Sequence, residues 1–204
     1  MRRRIMFAAA FGVAFGIGIG AALADEVPGY YITGTGGVTL LPKLHVNAAT
    51  AGTQRDTFGT GFAAGGALGY ATGNGWRIEL SSLYQHNDVA RLNGVSTPGH
   101  LSSTAVMANA TYDLAPNAPL TPYVGAGVGM ANVGGTVGAF SGRDWKPAYQ
   151  AEAGLRTDLG RRTSLFGEYR FMQSESVTLA SATDTAHQHF AAHALLTGLS
   201  FKLN

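Results

Sequence analysis

The sequence contains no cysteine, which excludes a disulfide framework and any thiolate metal site. Charge is scarce as well. Only 13% of its 204 residues are Asp, Glu, Lys or Arg. They are scattered, so the basic patch that nucleic-acid binding requires is missing. The formal charge of +2 is carried by Arg2, Arg3 and Arg4; without residues 1–24, 11 basic residues face 12 acidic ones, a net of −1. After residue 24 no run approaches the ~18 apolar residues of a spanning helix. The length suffices for one domain with a real interior.

The first 24 residues have three parts. Arg2 to Arg4 form a positive start, Ile5 to about Gly20 is apolar, and Ala22-Leu23-Ala24 is a small-x-small cleavage site followed by Asp25 and Glu26. This is the organisation of a secretory signal peptide. An uncleaved membrane helix is the competing reading, weakened by glycines at 12, 16, 18 and 20. In both cases residues 25–204 are expected outside the cytoplasm.

Glycine is plentiful, at 29 residues. The organising stretch is Thr121 to Met130, TPYVGAGVGM. Val124, Ala126, Val128 and Met130 share one parity; Tyr123, Gly125, Gly127 and Gly129 share the other. A period of two predicts a strand. Glycines on one face suit a narrow interior crowded by long side chains, and the apolar face then points to lipid. A dinucleotide-binding glycine loop needs another spacing and a following helix.

The same grammar recurs along the chain, with short and long connections alternating. Segments are expected at 30–41, 58–71, 76–87, 100–114, 121–130, 147–159, 163–172 and about 190–203. The long connections are 42–57, 88–99, 134–146 and 173–188. The short ones include Gly73-Asn74-Gly75, a tight-turn signal. The expectation is an all-β fold, an antiparallel transmembrane β-barrel of about eight strands with a plugged polar lumen. A soluble β-sandwich is the rival, but it should carry charge on its outer faces, whereas here the strand charges share the predicted interior parity.

The strand motifs TPYVGAGVGM (121–130), AYQAEAGLRTDL (148–159), SLFGEYRFM (164–172) and LLTGLSFKL (195–203) resemble those of small outer-membrane β-barrels of Gram-negative bacteria, the OmpA-type barrels and porin-like surface antigens. The resemblance spans nearly all of residues 25–204 and implies an outer-membrane location. It also implies assembly by the barrel machinery and contact with outer-membrane lipid and lipopolysaccharide, with possible surface partners for the loops. It departs at the end, where Phe201 is followed by Lys202-Leu203-Asn204 rather than closing the chain, and no peptidoglycan-binding domain follows the strands.

Six charges fall on the predicted lumen face: Arg77, Glu79, Glu152, Arg156, Glu168 and Arg170. Burial requires them to pair, so a structural salt-bridge network is expected, with a switching gate as the sharper reading. No catalytic residue is assigned. His100 and Ser102 share a face, and their His-x-Ser spacing resembles lipid A deacylases, which implies a lipid-modifying activity as the alternative to a non-catalytic envelope protein. Asp88, Asp184 or Glu175 would then supply the orienting acid. A narrow pore for small solutes is the third reading. His187 and His189 are an i, i+2 pair able to meet one metal; His193 shares their parity but lies too far along. No cofactor or metal is otherwise implied. Lys43, Arg55, Arg91, Arg143 and Lys146 on the loops match lipopolysaccharide phosphates.

Overall fold

The structure, a computed structural model, describes residues 28–40, 45–46, 54–55, 57–58, 60–91, 99–116, 118–137, 140–175, 177–180, 185–188 and 191–203. Eight long strands carry the fold. They are β1 (Gly29–Leu40), β2 (Gly61–Ala71), β3 (Trp76–Arg91), β4 (Gly99–Asp113), β5 (Thr121–Val137), β6 (Phe140–Asp158), β7 (Thr163–Ser174) and β8 (Ala191–Lys202). Each pairs antiparallel with its neighbours in sequence, and β8 pairs back onto β1, so the sheet closes with no free end. Two short two-stranded ladders lie in the long connections, His45–Val46 with Gln54–Arg55 and Val177–Ala180 with Thr185–Gln188. The proposed leader, residues 1–24, lies outside the described residues.

The stagger follows from register. Tyr30 pairs with Tyr70, Tyr70 with Ile78, Ile78 with Ala110, Ala110 with Ala126, Ala126 with Ala151, Ala151 with Phe171, Phe171 with His193, and His193 with Leu40. One circuit therefore climbs from position 30 to position 40 of β1, and ten residues of rise against eight strand spacings set a tilt of roughly 40°. At that tilt the outward residues from Tyr30 to Leu40 span roughly 25 Å, the height of an outer-membrane apolar band.

Alternation divides the two faces. Val128, Leu80, Ile78, Leu68 and Leu195 are more than half exposed, while Arg77, Glu152, Glu168 and Arg170 are under 10% exposed. An exposed apolar wall around a buried charged interior is a soluble fold turned inside out. Outward aromatics near the short turns meet in tilted pairs across strands, Tyr30 with Tyr70 and Trp76 with Tyr112, with ring centres 5.0 Å apart in each. The Gly73-Asn74-Gly75 turn is as expected, with φ of 83° at Gly73 and 87° at Gly75.

One expectation is corrected. The loop placed at 134–146 is mostly strand: β5 and β6 stay paired from Ala131↔Lys146 to Val137↔Phe140. Its glycines and polar residues hid the alternation. Beyond the membrane neither face is fixed by lipid, so the period-two signal fades while the ladder continues. The β4–β5 ladder likewise runs up to Gly99↔Val137. β7 leaves β6 at Ser174↔Ala148 while β3 stays paired with β4 up to Asp88↔His100, so β3, β4, β5 and β6 rise above the rest of the wall.

Candidate functional site

The inward side chains form two ion clusters in the half of the lumen nearest the short turns. In the first, Asp113 accepts from Arg77 at 2.8 Å and from Arg156 at 2.6 Å. In the second, Arg170 bridges Glu168 at 2.7 Å and Glu152 at 3.1 Å. Arg170 and Glu152 are direct register partners, and Glu168 precedes Arg170 by two positions on the same face. Tyr123 donates to Glu168 at 2.9 Å, and the Arg77 guanidinium lies 4.9 Å above the Tyr123 ring. Glu79 is held by the Tyr31 hydroxyl at 2.5 Å.

All six charges named from the sequence lie inside, and two points differ from expectation. Asp113, which shares the inward parity of β4, is the acceptor for two arginines and stands outside the six charges named from the sequence. Glu79 is held by the Tyr31 hydroxyl, and among the described residues it forms no arginine salt bridge. The alternation carried the signal for Asp113; its partners are set by distances across strands.

Glycines make room for these side chains. Tyr31, Tyr123 and Phe166 are register partners of Gly69, Gly154 and Gly198, and a Cβ at any of the three glycines would run into the paired ring. At Gly125 a Cβ would stand 2.6 Å from Thr111 and 2.9 Å from the Glu152 carboxylate. Glycine on the inward face is thus the space the long polar side chains occupy. What remains is a cavity of about 30 Å³ lined by Arg77, Glu79, Thr111, Glu152, Glu168 and Arg170 among others, room for water and too little for a solute.

Above the ion clusters the interior turns apolar. Ala105, Met107, Ala131, Ala148 and Met172 form one buried cluster with Val133 and Ala192; Ala63, Leu83, Ala194 and Leu196 form another. Beyond them it becomes polar again, with Thr39 donating to Asn87 at 2.9 Å and Ser103 to Gln85 at 3.5 Å.

Among the other candidates, Ser102 and His193 lie on the outward parity of their strands. Ser102 donates to the Gly134 carbonyl at 3.3 Å and is the register partner of His86. The His100 backbone pairs with Asp88 and Thr136; the side chains of His100 and Asp88 lie outside the described residues. The same holds for the His187 side chain and for His189 altogether. His193 faces outward, with Nδ1 2.6 Å from the Tyr169 hydroxyl. Among the described residues no group of three metal-ligating side chains occurs. On the raised hairpin Lys146 pairs with Asp144 at 2.7 Å and holds that carboxyl below its ordinary range, beside the exposed Trp145.

Comparison with known proteins places this geometry. The family profile for the outer membrane protein beta-barrel domain matches residues 7–202. An outer membrane protein of Gluconacetobacter diazotrophicus is 29% identical over 175 residues, covering 68% of this chain and 44% of that protein. The chain thus spans less than half the length of that curated relative. Among solved structures, Neisserial surface protein A superposes with a TM-score of 0.59 at 18% identity, covering 87% of this chain and all of that one. OprG from Pseudomonas aeruginosa superposes with a TM-score of 0.57 at 14% identity, covering 86% of this chain and 96% of that one. At these identities the likeness is one of fold.

Proposed function

This chain belongs to the outer membrane protein β-barrel domain family, and from that premise we propose that it is a non-catalytic integral protein of the outer membrane that supports envelope integrity or meets other surfaces through its external rim. The observation that carries the reading is the contrast between lumen and rim. Inside, the described arginines and acids are engaged with each other or with tyrosine, and the cavity between them is only about 30 Å³. Outside, the β5–β6 hairpin carries on the order of 20 Å of paired strand past Met130↔Pro147, ending at Val137↔Phe140. Connections held on a rigid scaffold are where such proteins place recognition.

The partners in this reading are outer-leaflet lipids around the apolar wall, lipopolysaccharide phosphates near rim cations such as Lys146, and the assembly machinery at the last strand, where Phe201 and Leu203 face outward. A lipid-modifying role through Ser102 is less well supported, because that hydroxyl donates to the Gly134 carbonyl.

Deleting the gene in the source bacterium and scoring detergent resistance, dye uptake and adhesion tests the proposal. A complementing variant with residues 134–143 replaced by a two-residue turn separates its two parts. Rescue by the trimmed barrel assigns the role to the membrane wall, and rescue by the intact chain alone assigns it to the rim. A deletion with no effect in any assay removes the reading.

A further inference from the structure

Four outward side chains form a row across the foot of the raised sheet. Trp145 on β6 is the register partner of Asn132 on β5, Asn132 of Thr104 on β4, and Thr104 of Tyr84 on β3. They share the parity of the exposed residues Tyr149, Met130, Val106 and Leu80 on the same strands. Direct partners on one face have Cβ atoms roughly 5 Å apart, so indole, amide, hydroxyl and phenol are continuous.

The register sets the level of this row. The same line runs on through Ala64 to Gly36 of β1. With the stagger described above, the five steps from β1 to β6 lift it by about six residues, so Trp145 stands roughly 6 Å past Leu40, the end of the apolar band. By the same count Tyr84 lies just inside that end, and Thr104 and Asn132 lie close to it. The long strands β7, β8, β1 and β2 end near this level, whereas β3 to β6 remain paired beyond it. Here, then, a sheet face stands against the headgroup layer of the outer leaflet.

The chemistry of the row selects among headgroups. Trp145 is 47% exposed and Tyr84 41%. Asn132 and Thr104 are half-buried, and among the described residues neither side chain has a protein hydrogen-bond partner. None of the four is charged, and Lys146 and Asp144, on the opposite parity, neutralise each other at 2.7 Å. A phosphate therefore finds no counter-charge in the row. A sugar ring does find partners. Its C–H face is apolar and slightly positive, and packs on the negative face of an aromatic ring. Its hydroxyls, at the ring edge, both donate and accept, as do the Asn132 amide and the Thr104 hydroxyl.

We infer that the row Tyr84–Thr104–Asn132–Trp145 seats the headgroup sugar of an outer-leaflet glycolipid, with the Trp145 indole against the ring and Asn132 and Thr104 at its edge. The inference rests on the outer-membrane placement in the reading above and adds a sugar contact to the phosphate contacts of the rim cations.

Acrylamide quenching of the full chain in phospholipid nanodiscs tests it. Trp76→Phe leaves Trp145 as the one tryptophan of the chain. The discs are doped with glucosyl diacylglycerol, a hexose without phosphate, or with phosphatidic acid, a phosphate without sugar. The glycolipid should shield Trp145 saturably and phosphatidic acid should not. Thr104→Ala/Asn132→Ala should weaken the shielding about tenfold, the worth of one or two hydrogen bonds. Equal shielding by the two lipids, shielding by phosphatidic acid alone or by neither, or shielding unchanged in the double variant overturns the inference. Unboiled gel mobility first establishes that each protein is a closed barrel; should the double variant fail that check, Asn132→Ala alone replaces it. A chain that never inserts undoes the outer-membrane reading itself, whereas an inserted barrel without preference for the sugar undoes this inference alone.

Discussion

Arg156 reaches Asp113 at 2.6 Å although β5 lies between their strands. Asp113 also takes Arg77 at 2.8 Å, so three strands, β3, β4 and β6, are tied at a single carboxylate under 2% exposed. Removing the carboxylate strands two buried guanidinium groups, and breaking one partner out of a buried pair costs about 3–5 kcal/mol. Asp113→Leu should therefore lower unfolding free energy in lipid vesicles by at least that much. Arg156→Leu should cost less, since Arg77 still holds Asp113. Equal stability of Arg156→Leu and the unmodified chain in urea titrations would remove the structural role of the network.

The Tyr31 ring lies over Gly69, its register partner. Gly69→Ala forces that ring away and disturbs the hydroxyl that holds Glu79. Overpacking of this kind costs about 1–3 kcal/mol. In a Tyr31→Ala background the same substitution should cost markedly less, and a double-mutant cycle measures the difference. Additive costs would mean that ring and glycine act separately.

Leu80 is 59% exposed at mid-height of the apolar band, and Leu203 is 55% exposed near its short-turn edge. Arginine on the lipid face costs about 2–4 kcal/mol at the midplane and about 0–1 kcal/mol at the boundary. Leu80→Arg should thus be clearly more destabilising than Leu203→Arg when folding into vesicles is followed by tryptophan fluorescence. In a soluble sandwich the two substitutions would differ little.

Every edge of the barrel is paired, because β8 returns to β1. Closed barrels resist SDS until heated, so unboiled protein should migrate differently from boiled protein on a gel. A single mobility, together with recovery in the periplasmic fraction, would contradict the closed barrel.

Ser102 donates its hydroxyl to the Gly134 carbonyl. Lipid A mass spectra from cells carrying the intact chain, Ser102→Ala or no copy should be identical. A species present only with the intact chain would establish lipid modification and end the non-catalytic reading.

Much of this architecture is local and was readable in the sequence. A strand's side chains alternate, so Val124, Ala126 and Val128 on one parity and the glycines between them on the other suffice to name a lipid face and a lumen face. The turn at Gly73 to Gly75 is equally local, since its backbone takes positive φ at both glycines. The length of β5 and β6 was not readable past Met130, where lipid no longer selects apolar residues on one side.

Partnership belongs to the tertiary structure. Alternation put Asp113, Arg77 and Arg156 on the inner face but left open which charges meet, because that depends on the ten-residue stagger of the closed sheet and on how far an arginine extends across a neighbouring strand. The same register sets Met172 beside Gln150 and Ala192, and Glu168 beside Leu196. Which apolar and polar residues face each other across the lumen is a property of the closed sheet and of no single strand.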